Sequence, residues 1–436
     1  MSAMLISLLV ALGCHSPSAQ RDHAAQEDPP SRWDDLDCTD ARVRATREGP
    51  IGYSSVMGAV EEAADGETLI LCDGVHEESL IVSAQTLHIT AAPNALVTLR
   101  APLEERALHV EAGASLVIEG LAITATEGVM PPGDGGLISL VDADLQLIDV
   151  ELQGGRTCGN GGAIAALATQ PGTERLLRIS GSTFYNGEAE GDGGLVSLVA
   201  EAEASLRLEL STTTLSTGVA GGAGGLLSVD GEGDLSAFIV DSALSFGEAS
   251  RHGGAIAVLA RPRTVYLELA SSLVSDSTAQ GSGGLLFINA AERSDTRSLL
   301  STDTQYHVGK AGEDGGALRV AGFGRWTGHF EGGILEGNEA GQRGGALALF
   351  GPELAQVEQT GRVLLFSNRA GAADSAAVDF GAGLSVAQVF EIQAEKPNRP
   401  WVLVTPSGTW DSDLTTEVGL YCGDSGYQTV CSVRVP

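Results

Sequence analysis

Basic residues are scarce in this chain. Of 436 residues, 25 are Lys or Arg against 57 Asp or Glu, only Lys310 and Lys396 are lysines, and the formal net charge is −32. A protein of that charge repels phosphate backbones and anionic headgroups, which excludes nucleic acid and anionic lipid surfaces as bulk electrostatic partners. The apolar run from Leu5 to Gly13 is too short to cross a bilayer. Between the strand-like segments of the middle there is no 3.6-residue periodicity long enough for a crossover helix, and this excludes a βαβ architecture.

What is present is a repeat. A Gly-Gly pair followed by four or five aliphatic or small residues begins at Gly135, Gly161, Gly193, Gly224, Gly253, Gly283, Gly315 and Gly344, at spacings of 26, 32, 31, 29, 30, 32 and 29 residues. Six copies carry an alanine four residues before the pair: Ala189, Ala220, Ala249, Ala279, Ala311 and Ala340. After the pair, aliphatic residues alternate with a tolerant position, as in Val196-Ser197-Leu198, Leu227-Ser228-Val229 and Ile256-Ala257-Val258. Period two means a strand with one buried face. A second strand follows with charged outward positions, as in Leu206-Arg207-Leu208-Glu209-Leu210 and Val265-Tyr266-Leu267-Glu268-Leu269. Like strands every ~30 residues with no crossover helix predict a solenoid, one turn per copy, in which each turn buries the aliphatic row of the next. The glycine pair is expected at the corner entering the first strand, where a positive φ or close backbone approach excludes a Cβ.

The Gly-Gly-Ala-Ile of Gly161 to Ile164 and of Gly253 to Ile256, each after a Thr/Ser/Asn-rich strand, resembles the repeat of chlamydial-type polymorphic outer membrane proteins within the pectin-lyase-like superfamily. That family's Phe-x-x-Asn motif is approximated by Leu335-x-x-Asn338 and Leu365-x-x-Asn368, while Gly187 stands at the Asn position after Phe184. The resemblance covers roughly residues 50–385 and implies an all-β, right-handed parallel β-helix. For activity it implies little, because such scaffolds carry lyases, hydrolases, esterases and plain adhesins.

The segment Ala11-Leu12-Gly13-Cys14 is similar to a bacterial lipoprotein box, which makes Cys14 the expected lipidation site and 1–14 a signal peptide; an ordinary signal peptide cut elsewhere is the alternative. Residues 15–37, rich in Ser, Pro, Gln and acids, read as a flexible tether. Val56, Ala59, Val60 and Ala63 have helical spacing and predict a short N-terminal capping helix. The β-helix is expected over 38–385, with further, less regular turns at Leu87 to Ile89, Leu96 to Leu99, Ala107 to Val110 and Leu116 to Ile123, and a C-terminal cap over 386–436 containing Trp401 and Trp410. Cysteines flank the repeat region in pairs, predicting disulfides Cys38–Cys72 and Cys422–Cys431 in an oxidising compartment; Cys158 is left over, a small filler in preference to a nucleophile. With only about 50 residues after the repeat, a barrel for self-export is not expected there.

Enzymes on this scaffold array carboxylates with an Arg, Lys or His on one sheet, and lyases hold Ca²⁺ with several Asp. The tolerant row offers Ser, Ala, Phe287 and Arg319 but no acid, and Gly328-His329-Phe330 is the nearest approach to a hydrolase Gly-His-Gly. Turn acids such as Glu188, Glu190, Asp192, Glu313 and Asp314 read as solvated and bonded to local backbone, with Ca²⁺ bridging between turns as the alternative; His252 and His329 read as surface or turn histidines, so no metal or other cofactor is expected. The row Leu137, Ala163, Leu195, Leu226, Ala255, Leu285, Ala317, Ala346 shares a face with the tolerant row. Either both point outward as an uncharged strip about 34 Å long, at ~4.8 Å per stacked strand, or the first row fills the corner. The expectation is a non-catalytic lipoprotein of the outer membrane or cell surface, touching the membrane by its lipid anchor only and presenting the β-helix for adhesion to a polysaccharide or protein ligand. A polysaccharide lyase or glycoside hydrolase is the alternative.

Overall fold

The computed structural model describes Cys38, residues 42–45 and residues 51–371 except 127, 129, 260–262, 291, 293, 323, 350–353, 361–363 and 367; within 349–366 and beyond 371 it describes only strand backbone. The expected signal segment with Cys14, the tether, Trp401 and Trp410 lie outside the described residues.

Each repeat folds into three strands, and like strands of successive turns pair in parallel into three long sheets. The turn built from Val196–Ala200, Ser205–Ser211 and Thr214–Ala220 is typical. Its strands pair in register with the next turn, Val196 with Leu227, Leu206 with Leu235 and Leu215 with Leu244. The first strands form a glycine-pair sheet of twelve, the second a long-strand sheet of fourteen. In the third sheet most strands are bent into two pieces, such as Ala243–Ser245 and Glu248–Ala249. Because the register is in phase, inward side chains stack on their equivalents and one continuous apolar cluster runs from Val43 to Leu347. The fold is the parallel β-solenoid that the repeat predicts. The expected irregular turns between 87 and 123 are strands of that same architecture: Thr86–Ala91 and Ser115–Glu119 belong to the long-strand sheet, Val97–Arg100 and Ala122–Thr124 to the bent sheet, and Leu108–Glu111 to the glycine-pair sheet.

The glycine pair has two distinct duties. Gly224 has φ +70°, and a Cβ on it would press on its own strand at Leu227; a Cβ on Gly225 would strike the carbonyl of Gly254 in the next turn. The corner therefore folds back over the tolerant row. Ser197, Ser228, Ala257, Phe287 and Ala348 are buried, and so is every residue of the row from Leu137 to Ala346. The uncharged outward strip does not exist: the first row turns into the corner and fills it, and the corner loops shield the second. The recurring alanines, Ala189 to Ala340, are likewise buried where the bent strand approaches the corner.

Two further corners per turn place non-glycine residues at positive φ, which the sequence did not reveal. Thr212, Asp241, Ser271 and Asp303 follow the long strand, and Asn186, Thr217, Phe246, Asp276 and Val308 sit at the bend of the third. After the long strand the strain is offset by a buried hydroxyl one residue on. Ser242 Oγ donates to the Val240 carbonyl (2.7 Å) and accepts the Thr213 N–H (3.1 Å), and Ser272 repeats the pattern with Ala270 and Ser242.

The N-terminal end is covered as predicted. Helix Val56–Glu62 buries Val56, Ala59 and Val60; Ser55 Oγ accepts the Gly58 N–H, and Glu78 accepts those of Val56 (3.0 Å) and Met57 (2.8 Å). Strands Val43–Ala45 and Ile51–Tyr53 add antiparallel pairing to the edge of the long-strand sheet. The Cys38–Cys72 disulfide, with Cα atoms 5.8 Å apart, fastens this segment to the first turn. At the other end Val378–Phe380 and Val402–Val404 continue the glycine-pair sheet, and Gly419–Asp424 pairs antiparallel with Gln428–Arg434, setting Cys422 opposite Cys431. The side chains of that cysteine pair and most of the expected cap lie outside the described residues.

Candidate functional site

The outer face of the long-strand sheet carries a connected group of polar and aromatic side chains. Register puts Arg178, Glu209, Phe238 and Glu268 in one column on four successive turns, with Arg207, Ser236 and Tyr266 in the column beside it. Arg178 and Arg207 each donate to the Glu209 carboxylate at 2.7 Å. The Arg207 guanidinium also lies 4.3 Å from the centre of the Phe238 ring, a cation–π contact. Phe238 and Tyr266 sit 5.4 Å apart at 47°, and the Tyr266 hydroxyl donates to Glu268 at 2.8 Å. Arg178 is exposed and the others are half-buried, so the rings present a face to solvent while the charges hold one another in place.

Burial alone would raise the Glu209 carboxyl, but hydrogen bonds from Arg178 and Arg207 outweigh it and hold it below the ordinary glutamate range. Burial and the bond to Glu268 push the Tyr266 hydroxyl up to about 12. Glu209 thus stays ionised and Tyr266 protonated across the physiological range. A carboxyl held low cannot act as the proton-donating acid of a glycosidase pair, whereas ionised carboxylates fixed beside two rings suit recognition.

The turn acids are used within the corners. From Asp134 to Asp314, except at Ala223, the residue before a glycine pair offers a side-chain acceptor to the backbone N–H of its equivalent one turn on: Asp134 to Asn160 (2.7 Å), Asn160 to Asp192 (2.8 Å), Asp192 to Ala223 (2.6 Å), then His252 to Ser282 (3.0 Å), Ser282 to Asp314 (3.4 Å) and Asp314 to Arg343 (3.2 Å). Asp314 also binds the Arg343 guanidinium at 2.8 Å, and Glu188 binds Arg156. Among the described residues, no group of three or more His, Cys, Asp and Glu is placed to hold a metal ion.

Ser282, His252 and Glu313 are brought together, but not as a nucleophile relay. His252 Nδ1 accepts the Ser282 backbone N–H, leaving the ring proton on Nε2, while Ser282 Oγ donates to Glu313 at 3.1 Å. The His252 ring stacks on Phe287 with centroids 4.4 Å apart, and burial, reinforced by Arg251 and Arg319, pulls its pKa below the ordinary histidine value despite Glu313. Within Gly328-His329-Phe330 only His329 faces outward: Gly328 is buried beneath the Trp326 ring, and Phe330 is buried. Cys158 is exposed and unpaired, not the buried filler that its place before a corner suggested.

Arg207, Glu209 and Glu268 were visible in the sequence as outward charges of the second strand. The Phe238–Tyr266 contact was not, although the alternation Leu235-Ser236-Ala237-Phe238-Ile239 already sets Phe238 outward. Set against protein-family models, curated proteins and solved structures, the chain matches none.

Proposed function

We propose that this is an exported, non-catalytic envelope protein, lipid-anchored through Cys14, whose β-solenoid presents its flank for adhesion or ligand recognition. The observation that carries the reading is the outer face around Phe238 and Tyr266, where solvent-facing rings and mutually fixed charges are held on rigid strands. The Cys38–Cys72 disulfide supports passage through an oxidising compartment. Kinship with Gly-Gly-Ala-Ile repeats, and the right-handed winding that such kinship implies, belong to the same reading. The kinship is supported by the register that puts Gly187, Asn338 and Asn368 in one column, where Asn338 and Asn368 are buried and bonded to each other at 2.9 Å.

Two measurements test it. Intact cells producing the protein are treated with a protease and probed for loss of the solenoid, alongside palmitate labelling of the parent and of Cys14→Ser. Surface cleavage with label only in the parent is expected; a protected, unlabelled chain overturns the envelope assignment. Purified protein is then incubated with neutral and acidic polysaccharides with and without Ca²⁺. No unsaturated products or new reducing ends are expected, and turnover would transfer the reading to a carbohydrate-active enzyme.

A further inference from the structure

We propose that the Phe238–Tyr266 face binds a neutral glycan chain lying across successive turns. The inference rests on the recognition reading above and names its ligand class. Charge makes the first selection. Over the five turns from Glu174–Ser180 to Thr296–Thr302, the outward columns hold two arginines, Arg178 and Arg207, against four acids, Glu174, Glu209, Asp234 and Glu268. This face therefore carries no net positive charge, like the chain of formal charge −32 around it, and its cations are occupied by Glu209 and the Phe238 ring. An anionic polymer meets long-range repulsion and finds no uncommitted cation there.

Backbone pairing makes the second selection. A peptide that binds through its backbone adds to an exposed sheet edge, whereas helical and proline-rich peptides need a groove. Phe238 and Tyr266 lie on interior strands whose backbones pair on both sides with neighbouring turns, so main-chain recognition is closed. What remains open is the aromatic face itself, flanked by Glu209 and Glu268 as acceptors and Ser236 as donor. A pyranose matches this, with C–H bonds on one face to lie on a ring and hydroxyls at its rim to bond the carboxylates. Stacked strands repeat every ~4.8 Å, so an extended chain can meet a ring on each of two adjacent turns.

The test is affinity electrophoresis of the full-length protein through gels containing galactomannan, xyloglucan or a linear β-glucan, with polygalacturonate as the anionic probe. Retardation by at least one neutral polymer and none by polygalacturonate is expected. Phe238→Ala and Tyr266→Ala should each weaken the retardation constant tenfold or more. Tyr266→Phe, which keeps the ring, should stay within about threefold, and Phe246→Ala, which removes an exposed ring on the bent sheet, should change nothing. No retardation by any neutral polymer, equal binding by the alanine variants, or stronger binding of polygalacturonate each overturns the proposal. If glycan binding fails while the protein remains protease-accessible on cells, this proposal falls and the envelope reading stands.

Discussion

A side chain in a solenoid is judged by what stands one turn away. Gly172 has positive φ and open space around it, so Gly172→Ala is expected to cost about 1–2 kcal/mol from backbone strain alone. Gly225 instead faces the Gly254 carbonyl and the Glu248 N–H, neither of which can yield without moving a strand, and Gly225→Ala should cost more than about 3 kcal/mol or abolish folding. Urea unfolding of both variants checks the order, and equal midpoints would refute the account. Arg297 makes the opposite case, a charge inside the stack. Its guanidinium donates to the carbonyls of Asn289 (3.0 Å), Arg263 (3.2 Å) and Thr296 (3.1 Å) and pairs with buried Asp295 at 3.1 Å. Arg297→Ala would strand Asp295 and three carbonyls, with an expected loss of about 3–5 kcal/mol, and Arg297→Lys should rescue little because an ammonium cannot match the fork. The inward position of Arg297 follows from strand alternation; its partners, drawn from a different turn and two loops, do not.

At the scale of the element, the corner ladder has one missing rung. Asp192 accepts the Ala223 N–H, but Ala223 has no side-chain acceptor to offer His252 one turn on. Asp192→Ala should therefore lower stability by about 1 kcal/mol, and Ala223→Asn should raise it by up to about 1 kcal/mol if the amide reaches the His252 N–H. Hydrogen exchange at Ala223 and His252 reads each rung directly, and an unchanged His252 rate in the Asn variant would discount the ladder as a source of stability there. Strands, glycine corners and the capping helix were legible in the sequence because each depends on a local pattern: period two, a pair of glycines, an i, i+3, i+4 spacing. The buried first row and the covered tolerant row were not, because alternation says which residues share a face but not that a loop folds back across it. The polar and aromatic face of the long-strand sheet was half legible. Its charges announce themselves in one strand, while the ring contact joins residues 28 apart in sequence and depends on exact register between two turns.

At the scale of the whole molecule, acid should loosen the solenoid in two stages. Because burial depresses the His252 pKa, the unfolded chain takes up a proton that the folded one resists once pH falls below the ordinary histidine value of about 6.5, and stability declines from there. Asp142 would be raised by burial, but hydrogen bonds from Thr169 and Gln170 hold it low; with Glu209 it contributes stability present above the usual carboxylate range and lost as pH falls through the depressed values. Differences in urea midpoint between parent and variant should show His252→Gln removing the upper stage and Asp142→Asn the lower. An upper stage that survives in His252→Gln would assign it to other groups.

Nearly every hydrogen bond that joins one turn to the next runs along the axis on which the turns are stacked. A pull between the two ends loads one inter-turn seam at a time and opens it like a zipper, whereas a sideways drag on the long-strand face is shared by three sheets. A body built this way is stiff toward a force on its flank and compliant toward tension along its length, so turns released from an end would leave the stacking around Phe238 and Tyr266 intact.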